Sequence, residues 1–250
     1  IAHRIPEMLP PYQRIMETVH AMISEAFSRA VITPGETTTD DVAWWLRERI
    51  RSLGWTTWFH PSVSVQREGA DPPAPFSGVI QRGDVLWTDV GVTAFGLATD
   101  TQHMGYVLKD GEVAPPPGLE QCLATSNRMQ DILLEEMEPG RTGNEILAAA
   151  LARVRAEGIN GTIYTHPIGD HGHGAGPLIG RWDAQEGVPV RGDHPLRPST
   201  WHSIELQATY PLPEWDSQPV RCMQEEEAWL DEAGDRHWVF RRQTQFHLVW

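Results

Sequence analysis

The chain has 250 residues, 40% hydrophobic and 22% charged, the make-up of a globular protein long enough to bury a core without staples. Lysine and arginine total 20 against 34 aspartates and glutamates, a net charge of −14, and no basic stripe emerges. That balance excludes nucleic acid and anionic membrane as partners for this surface.

Cys122 and Cys222 stand far apart with no CxxC spacing, which argues against a disulfide framework and a cysteine zinc site. No apolar run reaches membrane-spanning length. The chain opens at Ile1 without a methionine or leader, so an upstream N-terminal domain is expected to be missing and residues 1–250 are read as one domain. The compartment stays unassigned, with the cytoplasm as default and export left open. The tryptophans, 11 in number, include several beside polar residues, as in "VAWWLRER" and "GWTTWFHP". Aromatic packing is their first reading and a cleft lining the second.

In chain order, Tyr12 to Arg29 carries Ile15, Val19, Met22, Ile23 and Phe27 near helical spacing. Thr38 and Thr39 offer N-cap chemistry to a helix through Asp41–Ser52 that Gly54 ends. Residues Leu119–Glu136 and Gly143–Glu157, closed by Gly158, form a second such pair. The stretch "ITPGETTTDDVAWWLRERIRSLG" (32–54) parallels "MEPGRTGNEILAAALARVRAEG" (137–158), and the match runs on into "TTWFHP" and "TIYTHP". A helix pair and strand repeated once implies duplication within one α+β domain, with two half-sheets side by side, helices on one face and a cleft on the other.

The chemistry sits in the strands. Asp89 and Asp100 lie on strand-like segments joined around Thr93–Gly96, so a hairpin brings both carboxylates to one sheet face. The glycine-rich "THPIGDHGHGAGP" (165–177) holds His166, His171 and His173, imidazoles that backbone and ligands can approach closely. Glu205 lies inside the apolar-flanked "WHSIELQATYP" and needs a partner, because a buried unpaired carboxylate is costly. Glu225, Glu226 and Glu227 open a strand, so period two turns at least one of them inward. Such oxygen-rich donors with one nitrogen suit two hard or borderline divalent ions, manganese first, with cobalt, zinc or iron as alternatives.

The ordered set "TPG", "GDVLWTDVG…TD", "HGHGAG", "SIEL" and a terminal acidic strand resembles the superfamily of methionine aminopeptidase, Xaa-Pro aminopeptidase, prolidase and creatinase. The resemblance covers nearly the whole chain and falls nearest the Xaa-Pro aminopeptidase branch. It implies the α+β pita-bread fold, two duplicated halves of helix pair and antiparallel sheet related by a pseudo-two-fold. It further implies a dinuclear aminopeptidase acting on Xaa-Pro peptides through a hydroxide held between the metals. On that likeness Asp89 chelates one metal, Asp100 bridges both, and His173 and Glu205 bind the other. Glu225, with Glu226 as rival, supplies the last bridge, and Glu205 doubles as general base.

Two histidines that such peptidases use to hold substrate are missing from their expected places, where "GPLIGRWDAQ" and "ADPPAPF" stand. His166 and His171 are candidate catalytic replacements, and Arg181 and His60 candidate substrate contacts. A peptide is the implied partner, and a homodimer the implied assembly. The alternatives are a creatinase-like hydrolase cutting a carbon–nitrogen bond in a small molecule, and a binding module that kept the fold and lost catalysis.

Overall fold

The computed structural model describes residues 3–250. Its elements are α1 (Leu9–Ala26), α2 (Thr39–Ser52), β1 (Thr56–Thr57), β2 (Ser62–Gln66), β3 (Val85–Val90), β4 (Val92–Ala94), β5 (Leu97–Ala98) and β6 (Thr101–Val107). The second half follows with α3 (Pro117–Glu136), α4 (Gly143–Ala156), β7 (Asn160–Ile163), β8 (His166–Ile168), β9 (Thr200–Leu212), β10 (Gln218–Leu230), β11 (Arg236–Trp238) and β12 (His247–Val249).

The helices form for local reasons that the two halves share. Thr38 accepts a hydrogen bond from the Asp41 amide while the Asp41 carboxylate accepts from the Thr38 amide, and Thr142 and Glu145 repeat this reciprocal cap on α4. Gly54 and Gly158 take φ of 75° and 71° just beyond these helices, where a Cβ would be strained. The first helix begins earlier than the expected Tyr12, because Pro10 and Pro11 fit a first turn whose amides need no partner.

One large sheet runs in the order β2-β3-β6-β10-β9-β7, with β11 on β10, β8 on β9 and β12 parallel to β6; β1, β4 and β5 make a separate small sheet. The long β9–β10 pair, in register from Thr200↔Leu230 to Leu212↔Gln218, forms its spine. Side chains alternate faces along each strand. On one face, α1 and α2 cover Val63, Val65, Leu86 and Val90, and α3 and α4 cover Ile204, Leu206 and Ala208. Both helix pairs thus occupy the same side of the sheet and leave the alternate residues of β3, β6, β9 and β10 to line the other. Among the described residues, no helix is long and apolar enough to cross a membrane.

Candidate metal centre

Strand register decides which polar residues meet. Asp89 of β3 faces Gln102 of β6, Gln102 faces Glu225 of β10, and Glu225 faces Glu205 of β9. These four form a single row across the middle of the sheet on the face without helices. Asp100 precedes Gln102 by two residues and Glu227 follows Glu225 by two, so both join that face. Of the three consecutive glutamates, Glu225 and Glu227 therefore turn toward the row while Glu226 turns to the helix side.

The donor atoms converge closely. One oxygen each from Asp89, Asp100 and Glu225 lie within 4.8 Å of one another, as do donors of His166, Glu205 and Glu225, and of Asp100, His166 and His173. The His166 Nε2 lies 3.2 Å from Glu225 Oε1, 3.5 Å from Asp100 Oδ2 and 3.9 Å from Glu205 Oε2. Its Nδ1 lies 3.2 Å from the Pro167 carbonyl oxygen, which can only accept. In the neutral ring the proton is therefore on Nδ1, and the Nε2 lone pair points at carboxylate oxygens. That arrangement calls for a proton or a metal cation between them.

The electrostatics say the same. Burial raises Asp89 and Asp100 well above the usual carboxylate range, and the negative charges around them, Asp100 and Glu225 for the first and Glu225, Glu205 and Glu227 for the second, raise them further. Burial and the charge of Glu225 push Glu205 up likewise. Burial pulls His166 down, but its contacts with Glu225 and Glu205 win and leave it raised. Oδ1 of Asp89, Oδ1 of Asp100 and Oε2 of Glu227 are buried with no hydrogen-bond partner among the described residues. Orphaned carboxylate oxygens that repel one another are the donor chemistry of a divalent-cation site, so these residues fit one.

Protein groups hold the ligands in place. Gln102 Nε2 donates to Glu205 Oε1 at 3.0 Å and to Glu225 Oε2 at 2.8 Å, and its own oxygen accepts from Trp87 Nε1. Ser203 Oγ donates to Glu225 Oε1, and the Asp100 amide donates to Glu227 Oε1. Trp58 donates from Nε1 to the Thr99 carbonyl, and its ring lies 5.2 Å from that of His173. Tyr164 approaches His173 from another side at 6.0 Å. Trp58 and Tyr164 are counterparts in the repeat "TTWFHP" and "TIYTHP", so the two halves contribute matching aromatics to one histidine.

The remaining expected residues fall elsewhere. The counterpart of His166, His60, is exposed beside Trp44 and 3.5 Å from Arg47. His171 is exposed and belongs to none of the donor groups. Arg181 is also exposed and is paired with Asp183. Glu226 contacts His20 and His103 on the helix side instead of the row. Gln102, Tyr164 and Arg221 escaped the sequence reading, and only the period-two spacing of Gln102 from Asp100 marked the first in advance; Glu227 was named there only as one of three glutamates and Trp58 only within a tryptophan-rich stretch.

A cleft of about 280 Å³ lies over the row, floored by Asp89, Gln102 and Glu205 and walled by Trp87, Tyr164, Trp182 and Arg221 among others. Residues 14–230 match the model of metallopeptidase family M24. The chain belongs to that family. The M24 fold is also evident in solved structures. An X-Pro aminopeptidase from Thermotoga maritima superposes with a TM-score of 0.74 at 19% identity over 99% of this chain and 65% of its own. A Xaa-Pro dipeptidase from Bacillus anthracis gives 0.73 at 17% identity over 100% and 64%. A methionine aminopeptidase from Rickettsia prowazekii gives 0.60 at 15% identity over 88% and 93%. The M24 chain thus spans just under two thirds of the length of the first two, and its α+β architecture is the pita-bread fold. No curated protein matches it.

Proposed function

We propose that this M24 chain is a metal-dependent peptidase that removes the N-terminal residue of short peptides, with Xaa-Pro dipeptides as the favoured class. The observation that carries the reading is the in-register row of repelling, partly orphaned carboxylates beneath an open cleft, with the His166 Nε2 aimed into it.

Asp89, Asp100, Glu205, Glu225 and His166 would hold two divalent ions, manganese being the first candidate. His173 follows His166 by seven residues, the interval at which peptidases of this superfamily place a ligand histidine and a substrate-binding one. With His166 as ligand, His173 takes the second part; burial and the neighbouring His166 keep it below the usual imidazole range and thus neutral. When bound, the ions would supply Lewis acidity, lowering the pKa of a water and polarising a peptide carbonyl.

The chain's own groups do the rest. Glu205 is partly accessible, with a side chain 23% exposed where that of Glu225 is 1%. It is therefore the carboxylate placed to take a proton from water and return it to the leaving nitrogen. His173 hydrogen-bonds the carbonyl oxygen, and Gln102 keeps both glutamates oriented. Trp87, Tyr164 and Trp182 exclude water from the scissile bond and offer flat faces to a proline ring. Arg221, exposed at the cleft wall and with no acidic partner among the described residues, receives the C-terminal carboxylate and so favours dipeptides.

The test compares Glu205→Gln with wild type on Xaa-Pro dipeptides after manganese loading. Loss of a general base lowers kcat by about 10²–10⁴. Unchanged turnover in a variant with intact metal content would reject this assignment of Glu205. Absence of any hydrolysis by metal-loaded wild type would reject the peptidase reading itself.

A further inference from the structure

A second cluster of metal-binding side chains lies on the opposite face of the same sheet. His103 is the next residue after Gln102, and Glu226 the next after Glu225, so alternation carries both away from the carboxylate row toward α1. There His20 of α1 meets them. Its Nε2 lies 2.9 Å from Glu226 Oε2, and the His103 Nε2 lies 2.7 Å from Glu226 Oε1. Donors of the three lie within 4.8 Å of one another, and the residues are 4%, 1% and 1% exposed.

A fourth histidine stands behind them. The His247 Nε2 of β12 is 3.0 Å from the His103 Nδ1, which turns the His103 Nε2 toward Glu226 and His20. The backbone amide of Gln243 donates to Glu226 Oε1 and helps hold the carboxylate. Next to the cluster lies a cavity of about 270 Å³, lined by His20, His103 and His247 together with Arg241 and Gln243. It provides room for a water and a route for an ion. The nearby arginines have other contacts: Arg242 binds Asp131, and Arg241 lies over the Phe240 ring. The buried carboxylate therefore depends on the imidazoles, or on something they bind, for its compensating charge.

We propose that His20, His103 and Glu226 form a zinc site distinct from the cleft centre, with His247 as the partner that orients His103. Two imidazole nitrogens, one carboxylate oxygen and space for a water make up a four-coordinate set suited to zinc. A hydrogen bond to the far nitrogen of a ligand histidine is the usual means of fixing its ring. The ion would tie α1 to β6 and β10, the two strands that carry Gln102 and Glu225 on their other face. Its role is structural, and it does not depend on the peptidase reading.

The experiment uses the Asp89→Asn/Asp100→Asn protein, which lacks carboxylates needed in the cleft, loaded with zinc, desalted and analysed for metal. Zinc should remain, and adding His20→Gln should lower the content by about one per chain, whatever the His166, Glu205 and Glu225 donors of the cleft still hold. Glutamine can still donate to Glu226 but is a poor zinc ligand, so circular dichroism should stay that of the folded protein. His247→Ala should weaken zinc retention by about 10–100-fold. A folded double variant that retains no zinc overturns the proposal, as does a zinc content that His20→Gln leaves unchanged; either result makes the cluster a protonated histidine–glutamate network. Should the double variant fail to fold, wild-type crystals soaked in zinc decide the matter. An anomalous peak among the three side chains is expected, and its absence would refute the site.

Discussion

Replacing Asp100 by asparagine should have opposite effects on stability with and without metal. Asp100 is buried, its Oδ1 has no partner, and its charge opposes those of Asp89 and Glu225 within 4.8 Å. At that separation and an effective dielectric of about 20, two unit charges repel by about 3.5 kcal/mol. Partial protonation already relieves some of this, as the raised values of Asp89 and Asp100 indicate. A gain of about 1–2 kcal/mol is therefore expected for Asp100→Asn in chelator at neutral pH, which is about 2–8 °C in Tm for a chain of this size. With manganese at about a hundred times its Kd the wild type should gain about 2.7 kcal/mol, and the variant much less. The order of stability thus inverts between chelator and metal. Thermal unfolding of both proteins under both conditions measures it. If Asp100→Asn were the less stable protein in chelator, the carboxylates would be satisfied by internal bonds, and the argument for a waiting cation would fail.

Burial, together with the same repulsion, sets a pH dependence. Asp89, Asp100, Glu205 and Glu227 have folded values raised above their ordinary 3.8 or 4.5, so the folded state binds more protons than the unfolded one. Their contribution is full below the ordinary values and is lost as pH rises through the raised ones, so urea unfolding in chelator should show stability falling upward from about pH 5, and metal should abolish the decline. Glu226 acts with opposite sign: burial alone would raise it, but His20 and His103 hold it down to about 2, so its contribution is lost as pH falls from 4.5 toward that value. Arg221→Ala should raise KM for Xaa-Pro dipeptides by about 10–100-fold, from loss of a charge-assisted hydrogen bond, and leave C-terminally amidated substrates unaffected. Gly172→Ala would drive a methyl into the Trp58 indole; a cost of about 1–3 kcal/mol should appear as a lower urea midpoint.

Local chemistry made much of this molecule legible in advance. The reciprocal caps at Thr38–Asp41 and Thr142–Glu145 and the glycines at 54 and 158 act within a few residues, so both helix pairs and their repetition follow from the chain alone. A carboxylate such as Asp89 or Glu205 inside an apolar strand signals an unseen cation because burial without a partner is unfavourable. Period two also shows that Glu225 and Glu227 share a face.

Which face that is depends on register with strands far away in sequence. Glu225 joins the row because β10 aligns it with Glu205 and Gln102, and the same alignment gives Glu226 to His20, a residue that within α1 is one more buried position. That His166 and His173 both come within reach of Asp100 was also hidden, since a glycine-rich loop has no periodicity to indicate which imidazoles meet the carboxylates. Trp58 and Tyr164 match in the repeat, but their meeting at His173 required the two halves to close on each other. The sequence by itself determined the helices, the duplication and the residue types of a metal centre, because these depend on neighbours a few positions apart. Tertiary structure alone decided which donors converge, since that depends on strand register, including the pairing of Gln102 with Glu225 more than a hundred positions apart.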